Sequence, residues 1–175
     1  MSKSKAFKSF AAIIFLVSMG KMFQGLEEKI KSVLSKKQKK NIAVFVDGPN
    51  ILRKEFGINL EDVTKALKPL GEIKIGRVFL NQFASQKLIE AIVNQGFETI
   101  VTTGDTDVSM AVDITETAFS PVVDAIAVVT RDSDFLPSII KAKREGKEII
   151  VVLVDEQAAV ALKNSADKLI ILQKR

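Results

Sequence analysis

Three unbroken apolar runs constrain this chain more than any other feature: IAVFV (42–46), DAIAVVT (124–130) and EIIVVLV (148–154). A strand with one wet face alternates apolar and polar residues, so a run with almost no polar member needs cover on both faces. Such strands belong to parallel sheets flanked by helices. EIKIGRVFL (72–80), FETIVT (97–102) and KLIIL (168–172) supply three more strands. The gaps between them read as helices: 60–70 behind Asn59 as cap, 85–94 closed by Gly96, 135–145 stopped by Gly146, and 157–164. In one further gap Val108, Ala111, Val112, Thr115 and Phe119 mark one face of a helix. Strand–helix units of this length join parallel strands through right-handed crossovers. The expected fold is therefore a three-layer α/β/α sandwich with a mainly parallel sheet, spanning residues 42–172.

Residues 1–41 stand apart from that pattern. They carry ten Lys against two Glu, whereas residues 42–175 carry sixteen Lys or Arg against nineteen Asp or Glu. The net charge of +5 thus belongs to the leader, and the body is mildly acidic. Within the leader, Lys3, Lys5 and Lys8 precede the apolar run FAAIIFLVSM (10–19), shorter than the ~20 residues that span a bilayer. The run resembles the apolar part of a signal peptide, but no small-residue cleavage site follows it before Lys21 and Met22. Three readings of residues 1–25 stand: a weak peripheral membrane anchor, a helix that docks on the body or a partner, or a disordered leader, which an over-extended start would explain, since Met19 or Met22 would begin the chain as well. Leu26, Ile30, Val33 and Leu34 then follow helical spacing before a Lys-rich linker. The expected location is cytoplasmic, with membrane association through the leader as the open alternative.

The chain has no histidine and no cysteine. This excludes Ser-His-Asp and Cys-His nucleophiles, zinc fingers, haem, iron–sulfur centres and disulfides. Tyr and Trp are missing as well, so phenylalanine is the only ring for stacking. Chemistry must run on carboxylates, hydroxyls, amides, Lys, Arg or a hard metal ion.

In an open parallel sheet, ligands gather at the carboxyl ends of the strands where the strand order reverses. Asp47 directly follows the first strand, in the tight turn Asp47-Gly48-Pro49-Asn50; Asp132 and Asp134 follow the fourth strand, just before a helix. If the first and fourth strands are neighbours, these three carboxylates share one crevice. The helix that begins near Asp107 starts at the same edge, and its polar face, Ser109, Asp113, Glu116 and Thr117, lets Asp113 lean inward. Clustered carboxylates without histidine suit Mg²⁺ or Mn²⁺, which prefer oxygen ligands and assist phosphodiester hydrolysis. The plain alternatives are that Asp132 or Asp134 caps the following helix, that Asp107 caps its own, and that Asp113 and Glu116 form a wet helix face. Asp47 is harder to explain away, because a carboxylate at the end of a buried strand needs partners. Asn50 can orient a water or a carboxylate, while Gly48 relaxes the backbone and does no chemistry.

VDGPN (46–50), TDVSMAVD (106–113) and RDSDF (131–135), followed by GKEIIVV (146–152), resemble the NYN domain of LabA-like proteins, a branch of the PIN-like metal-dependent nucleases. The resemblance covers about residues 42–172. It implies a PIN-like sheet with its reversal between the first and fourth strands, an acidic site for Mg²⁺ or Mn²⁺, and cleavage of RNA that leaves a 5′-phosphate. The family's acidic positions fall on Asp47, Asp113, Asp132 and Asp134, with Asn50 as the turn amide and Asp107 as a further acidic position. Two positions depart from the family pattern. Gly104-Asp105 stands where a Lys-Gly pair is common, and Arg131 where a Gly commonly precedes the first Asp of the last motif.

Single-stranded RNA is the expected partner, and no module for reading DNA sequence is evident. Arg53, Lys54 and Arg131 lie near the expected crevice, with Lys36, Lys37, Lys39 and Lys40 entering from one side. Phe56 and Phe135 are candidates to stack a base, with burial in the core as the simpler role. The rival reading is a non-catalytic RNA- or protein-binding module that kept the acidic crevice. Two other phosphoryl chemistries fit less well: an aspartyl nucleophile usually wants a second Asp where this chain has Pro49, and a Toprim-type site wants Glu at position 47.

Overall fold

Six strands lie side by side in the order β3-β2-β1-β4-β5-β6, all parallel. They are β1 (Lys40–Asp47), β2 (Gly71–Asn81), β3 (Glu98–Thr102), β4 (Ala125–Val129), β5 (Glu148–Leu153) and β6 (Lys168–Ile171). The helices are α1 (Gly48–Ile51), α2 (Leu60–Leu67), α3 (Gln86–Asn94), α4 (Thr106–Ala118), α5 (Leu136–Arg144) and α6 (Val160–Ser165), with a 3₁₀ turn over Ser133–Phe135 ahead of α5. The computed structural model describes residues 39–52, 59–154 and 160–172. The leader, its helix at 26–34, Arg53, Lys54, Phe56 and residues 155–159 of the helix expected at 157–164 lie outside the described residues. Among the described residues, no helix is long and apolar enough to cross a membrane.

Side chains alternate across the sheet and feed two separate cores. Ile42, Val44 and Val46 of β1, with Ala125, Ala127 and Val129 of β4, pack against Leu60, Val63 and Leu67 of α2 and Ile92 of α3. Ala43 and Phe45, with Ile126 and Val128, pack against Met110, Ile114 and Ala118 of α4 and Ile139 and Ala142 of α5. This division follows from crossover handedness. The walk β1→β2→β3 moves one way and puts its helices on one face; β4→β5→β6 moves the other way and puts them on the opposite face. The reversal falls between β1 and β4, where the family resemblance implies it.

Local signals agree with the observed ends. Asn59 and Asp62 form a reciprocal capping box at α2, and Ser85 caps α3. Gly96 and Gly146 close α3 and α5 with φ of 82° and 78°, a conformation that favours glycine.

One face is corrected. The stripe Val108, Ala111, Val112, Thr115 and Phe119 is not the buried side of α4: Val108, Val112 and Phe119 are exposed, and the buried residues are Met110, Ile114, Thr117 and Ala118. Thr117, expected on the polar face, is inside. Val108, Ala111, Val112 and Thr115 instead line an apolar groove of about 470 Å³ between α4 and α5, shared with Glu116, Pro137, Ser138 and Lys141.

Candidate active site

The β1–β4 register builds the site. Phe45 pairs with Val128 and Val46 with Val129, so the next residues, Asp47 and Thr130, leave the sheet side by side. Asp47 continues the alternation of Ala43 and Phe45 and so belongs to the face covered by α4 and α5. It is 1% exposed. Its Oδ2 accepts from the Thr130 hydroxyl and from the Asn50 side-chain amide, both at 2.8 Å, and its Oδ1 accepts from the Asn50 backbone N–H at 3.3 Å. Burial pushes the Asp47 carboxyl above its ordinary value, and the bonds from Asn50 and Thr130 pull partly against that shift.

The expected tight turn after β1 is a single helical turn, α1, with Asp47 as its N-cap and Pro49 in its first turn. A Cβ on Gly48 would come within 2.5 Å of the Phe79 carbonyl oxygen and of Leu80 Cδ2, so only glycine lets this turn lie against β2. The glycine thereby brings Asn50 back onto Asp47. Thr130 makes the second connection: its Oγ1 donates to Asp47 and accepts the backbone N–H of Asp132 at 3.1 Å. Asp132 in turn caps the 3₁₀ turn, its Oδ1 accepting the Asp134 N–H at 2.9 Å. Asn50, Arg131, Asp132 and Ser133 line a crevice of about 340 Å³ at this edge.

The helix carboxylates take places other than those expected. Asp107 does not cap α4; Asp105 does, accepting the Asp107 N–H at 2.9 Å. Asp107 is released toward the crevice. Its carboxyl is raised to about 6, first by desolvation and then by the charges of Asp47, Asp105, Asp132 and Asp134. Asp113 is six residues further along α4, about 9 Å down a helix that runs away from this edge. There its Oδ1 accepts from Arg77 Nη1 at 2.6 Å, while Arg77 Nε donates to Glu98 at 2.7 Å. The structure thus gathers Asp47, Asn50, Asp132 and Asp134 at one edge, adds Asp107, and commits Asp113 to Arg77. Asp107 has a sequence signal of its own: with Met110, Ile114 and Thr117 it forms a stripe at spacings of three and four, on the helix side that faces the sheet. Thr130 carries a weaker one, as a lone polar residue closing an apolar run.

Among the other candidates, Phe135 is a core residue. Lys40 opens β1 at the opposite edge of the sheet, some 23 Å of strand away from Asp47, and is ion-paired with Glu148. It does not line the crevice.

The donors suit a hard divalent cation in kind, being all oxygen, and the charges that raise Asp107 are those a cation would relieve. Among the described residues, no group of three or more acidic side chains is arranged so that it could hold a metal ion. Mg²⁺ does not require one: it is usually held by one or two carboxylates together with the substrate's phosphate.

A family model described as "NYN domain" matches residues 41–173. The chain is 51% identical over 153 residues to "Uncharacterized protein MJ0482" of Methanocaldococcus jannaschii; the match takes in 87% of this chain and 64% of that protein. The chain thus spans less than two thirds of that relative's length. A crystal structure of a protein of unknown function, VPA0982 from Vibrio parahaemolyticus, shares the fold with a TM-score of 0.66 at 22% identity, over 79% of this chain and 96% of the other.

Proposed function

This chain belongs to the NYN domain family of PIN-like, nuclease-type domains, and on that premise we propose that it is a metal-dependent ribonuclease acting on single-stranded RNA at the β1–β4 crevice. The observation that supports this reading is the meeting of Asp47 with Thr130 and Asp132 across 83 residues of chain, at the reversal point of the sheet. One or two carboxylates drawn from Asp47, Asp107, Asp132 and Asp134, together with the substrate's phosphate, would hold Mg²⁺ or Mn²⁺. When bound, such an ion supplies an activated water and withdraws charge from a phosphate oxygen.

The chain's own residues do the rest. Asn50 and Thr130 hold Asp47 in one orientation, leaving one lone pair, on Oδ1, for the site. Thr130 also fixes the backbone of Asp132. Arg131, on the crevice wall, offers a guanidinium fork to a phosphate, a role a glycine in its place could not fill. Asp113 acts outside this set, bracing Arg77 under the sheet edge.

Asp47→Asn is expected to lower Mn²⁺-dependent cleavage of single-stranded RNA by about 10²-fold or more, the usual size of a lost charged partner in the transition state. Its thermal unfolding should stay cooperative. Asp132→Asn, at a less buried position, should lose activity to a similar degree. Cleavage by both variants at the wild-type rate would refute the assignment.

A second reading has one observation in its favour: the described carboxylates do not stand in a ready three-ligand set. It makes the domain a non-catalytic RNA-binding module, with Gly104-Asp105 and Arg131 as departures from a cleaving site. RNA affinity that persists in EDTA, with no turnover in Mg²⁺ or Mn²⁺, would select it.

A further inference from the structure

We propose that Phe83 is a stacking platform for a base of single-stranded RNA whose neighbouring phosphate enters the crevice. The inference rests on the nuclease reading for its substrate, and on Phe83 itself for its geometry.

Phe83 is 83% exposed, in a chain whose only aromatic residues are phenylalanines. The backbone that carries the ring is fixed. The Phe83 N–H donates to Asn81 Oδ1 at 3.1 Å, the Ala84 N–H donates to the Asn81 carbonyl at 3.1 Å, and Ser85 caps α3 directly afterwards. Both ends of this short turn are therefore pinned, and the side chain between them is turned to water.

Its place in the fold is specific. Asp47 pairs with Phe79 across β1 and β2, and β2 runs on to Asn81. The Phe83 turn thus begins one strand over, about 4.8 Å to the side of Asp47 and about 7 Å beyond it. It stands on the β2 rim of the crevice edge, with Arg131 and Ser133 on the β4 side. Phe119, also exposed among the described residues, ends α4 at the opposite edge, and Lys141 Nζ lies 4.8 Å from its ring centroid. Charge favours the same path. The turn NQFAS (81–85) has no carboxylate; beyond it Lys87 supplies a positive charge, and Glu90 is bonded to the Gln86 side-chain amide at 3.2 Å. An exposed ring on such a turn suits bases of any sequence, because every base has a face to stack.

The test uses the full chain and short RNAs in which 2-aminopurine is moved along the sequence. Affinity and fluorescence quenching are read in EDTA, and cleavage is read in Mn²⁺. Wild type and Phe83→Trp should quench the probe at one position. Phe83→Ala and Phe83→Leu should lose the quench, bind about 5- to 150-fold more weakly, and unfold at the wild-type temperature, since the ring is outside the core. Equal affinity and equal quenching in all four proteins would overturn the platform, as would weaker binding by Phe83→Ala when wild type itself quenches nowhere. RNA cleavage that is indifferent to Phe83 overturns the platform and leaves the nuclease reading standing. Quenching that depends on Phe83, without cleavage in any divalent ion, does the reverse. A wild-type chain that does not bind RNA overturns both.

Discussion

Thr130 uses both capacities of its hydroxyl, donating to Asp47 and accepting from the Asp132 amide. Valine at this position would keep the volume and lose both bonds. At the same scale, Asp107 sets a pH dependence whose sign is unusual for a carboxylate. Its folded value of about 6 lies above the ~3.9 of an unfolded aspartate. The folded state therefore binds the proton more tightly, and stability falls as pH rises from about 4 to about 6. Glu148 and Asp167, held below their ordinary values by lysine partners and, for Asp167, first by the Ile149 N–H, contribute with the opposite sign at lower pH. The informative measurement is therefore the difference between Asp107→Asn and wild type. The two melting curves should draw together near pH 4, and the variant should be the more stable above pH 6; a constant difference across this range would rule out Asp107 as the titrating group. Sequence reading found the crevice carboxylates at Asp47, Asp132 and Asp134 because strand ends announce themselves. It read Asp107 as the cap of α4 because a carboxylate near a helix start looks like one, and Asp105, two residues earlier, holds that position; Asp113, expected to lean into the crevice, is bonded to Arg77.

Among the elements, α4 is the one whose pattern misleads. Both of its sides are apolar enough to read as a core face, and the buried one includes Thr117 and begins at Asp107, so polar residues interrupt the true stripe. Burial separates the two sides. Ile114→Ala should cost about 2–5 kcal/mol, as a large-to-small change in a packed core, whereas Val112→Ser, at a position 53% exposed, should stay within about 0.5 kcal/mol. Urea unfolding of the two variants checks this, and equal losses would mean that the stripe packs after all. α2, α3 and α5 were legible because each had a cap or a stop of known chemistry: Asn59, Gly96 and Gly146. α1 was read as a turn because four residues carry no periodicity, and its helical form depends on Gly48 lying against Phe79 and Leu80 of β2, residues distant from it in sequence.

For the whole molecule, the architecture was legible because fully apolar strands admit few arrangements, and crossover handedness then decides which helices cover which face. The crevice shape and the Thr130 link were not, since both arise only when β1 meets β4. That seam joins residues 83 apart, against the shorter crossovers that close β1–β2 and β2–β3. Distant pairings form late because loop closure opposes them. In pulse-labelled hydrogen exchange during refolding, the Asp132 amide should gain protection in the slowest major phase, after the amides of β2 and β3; earlier protection would contradict this order.

A centre divided between the two windings of the sheet also acts as its own safety catch. A copy cut short anywhere before residue 130 carries Asp47 without the partners that complete it. An unfinished chain therefore has no assembled crevice until the second half of the sheet has closed.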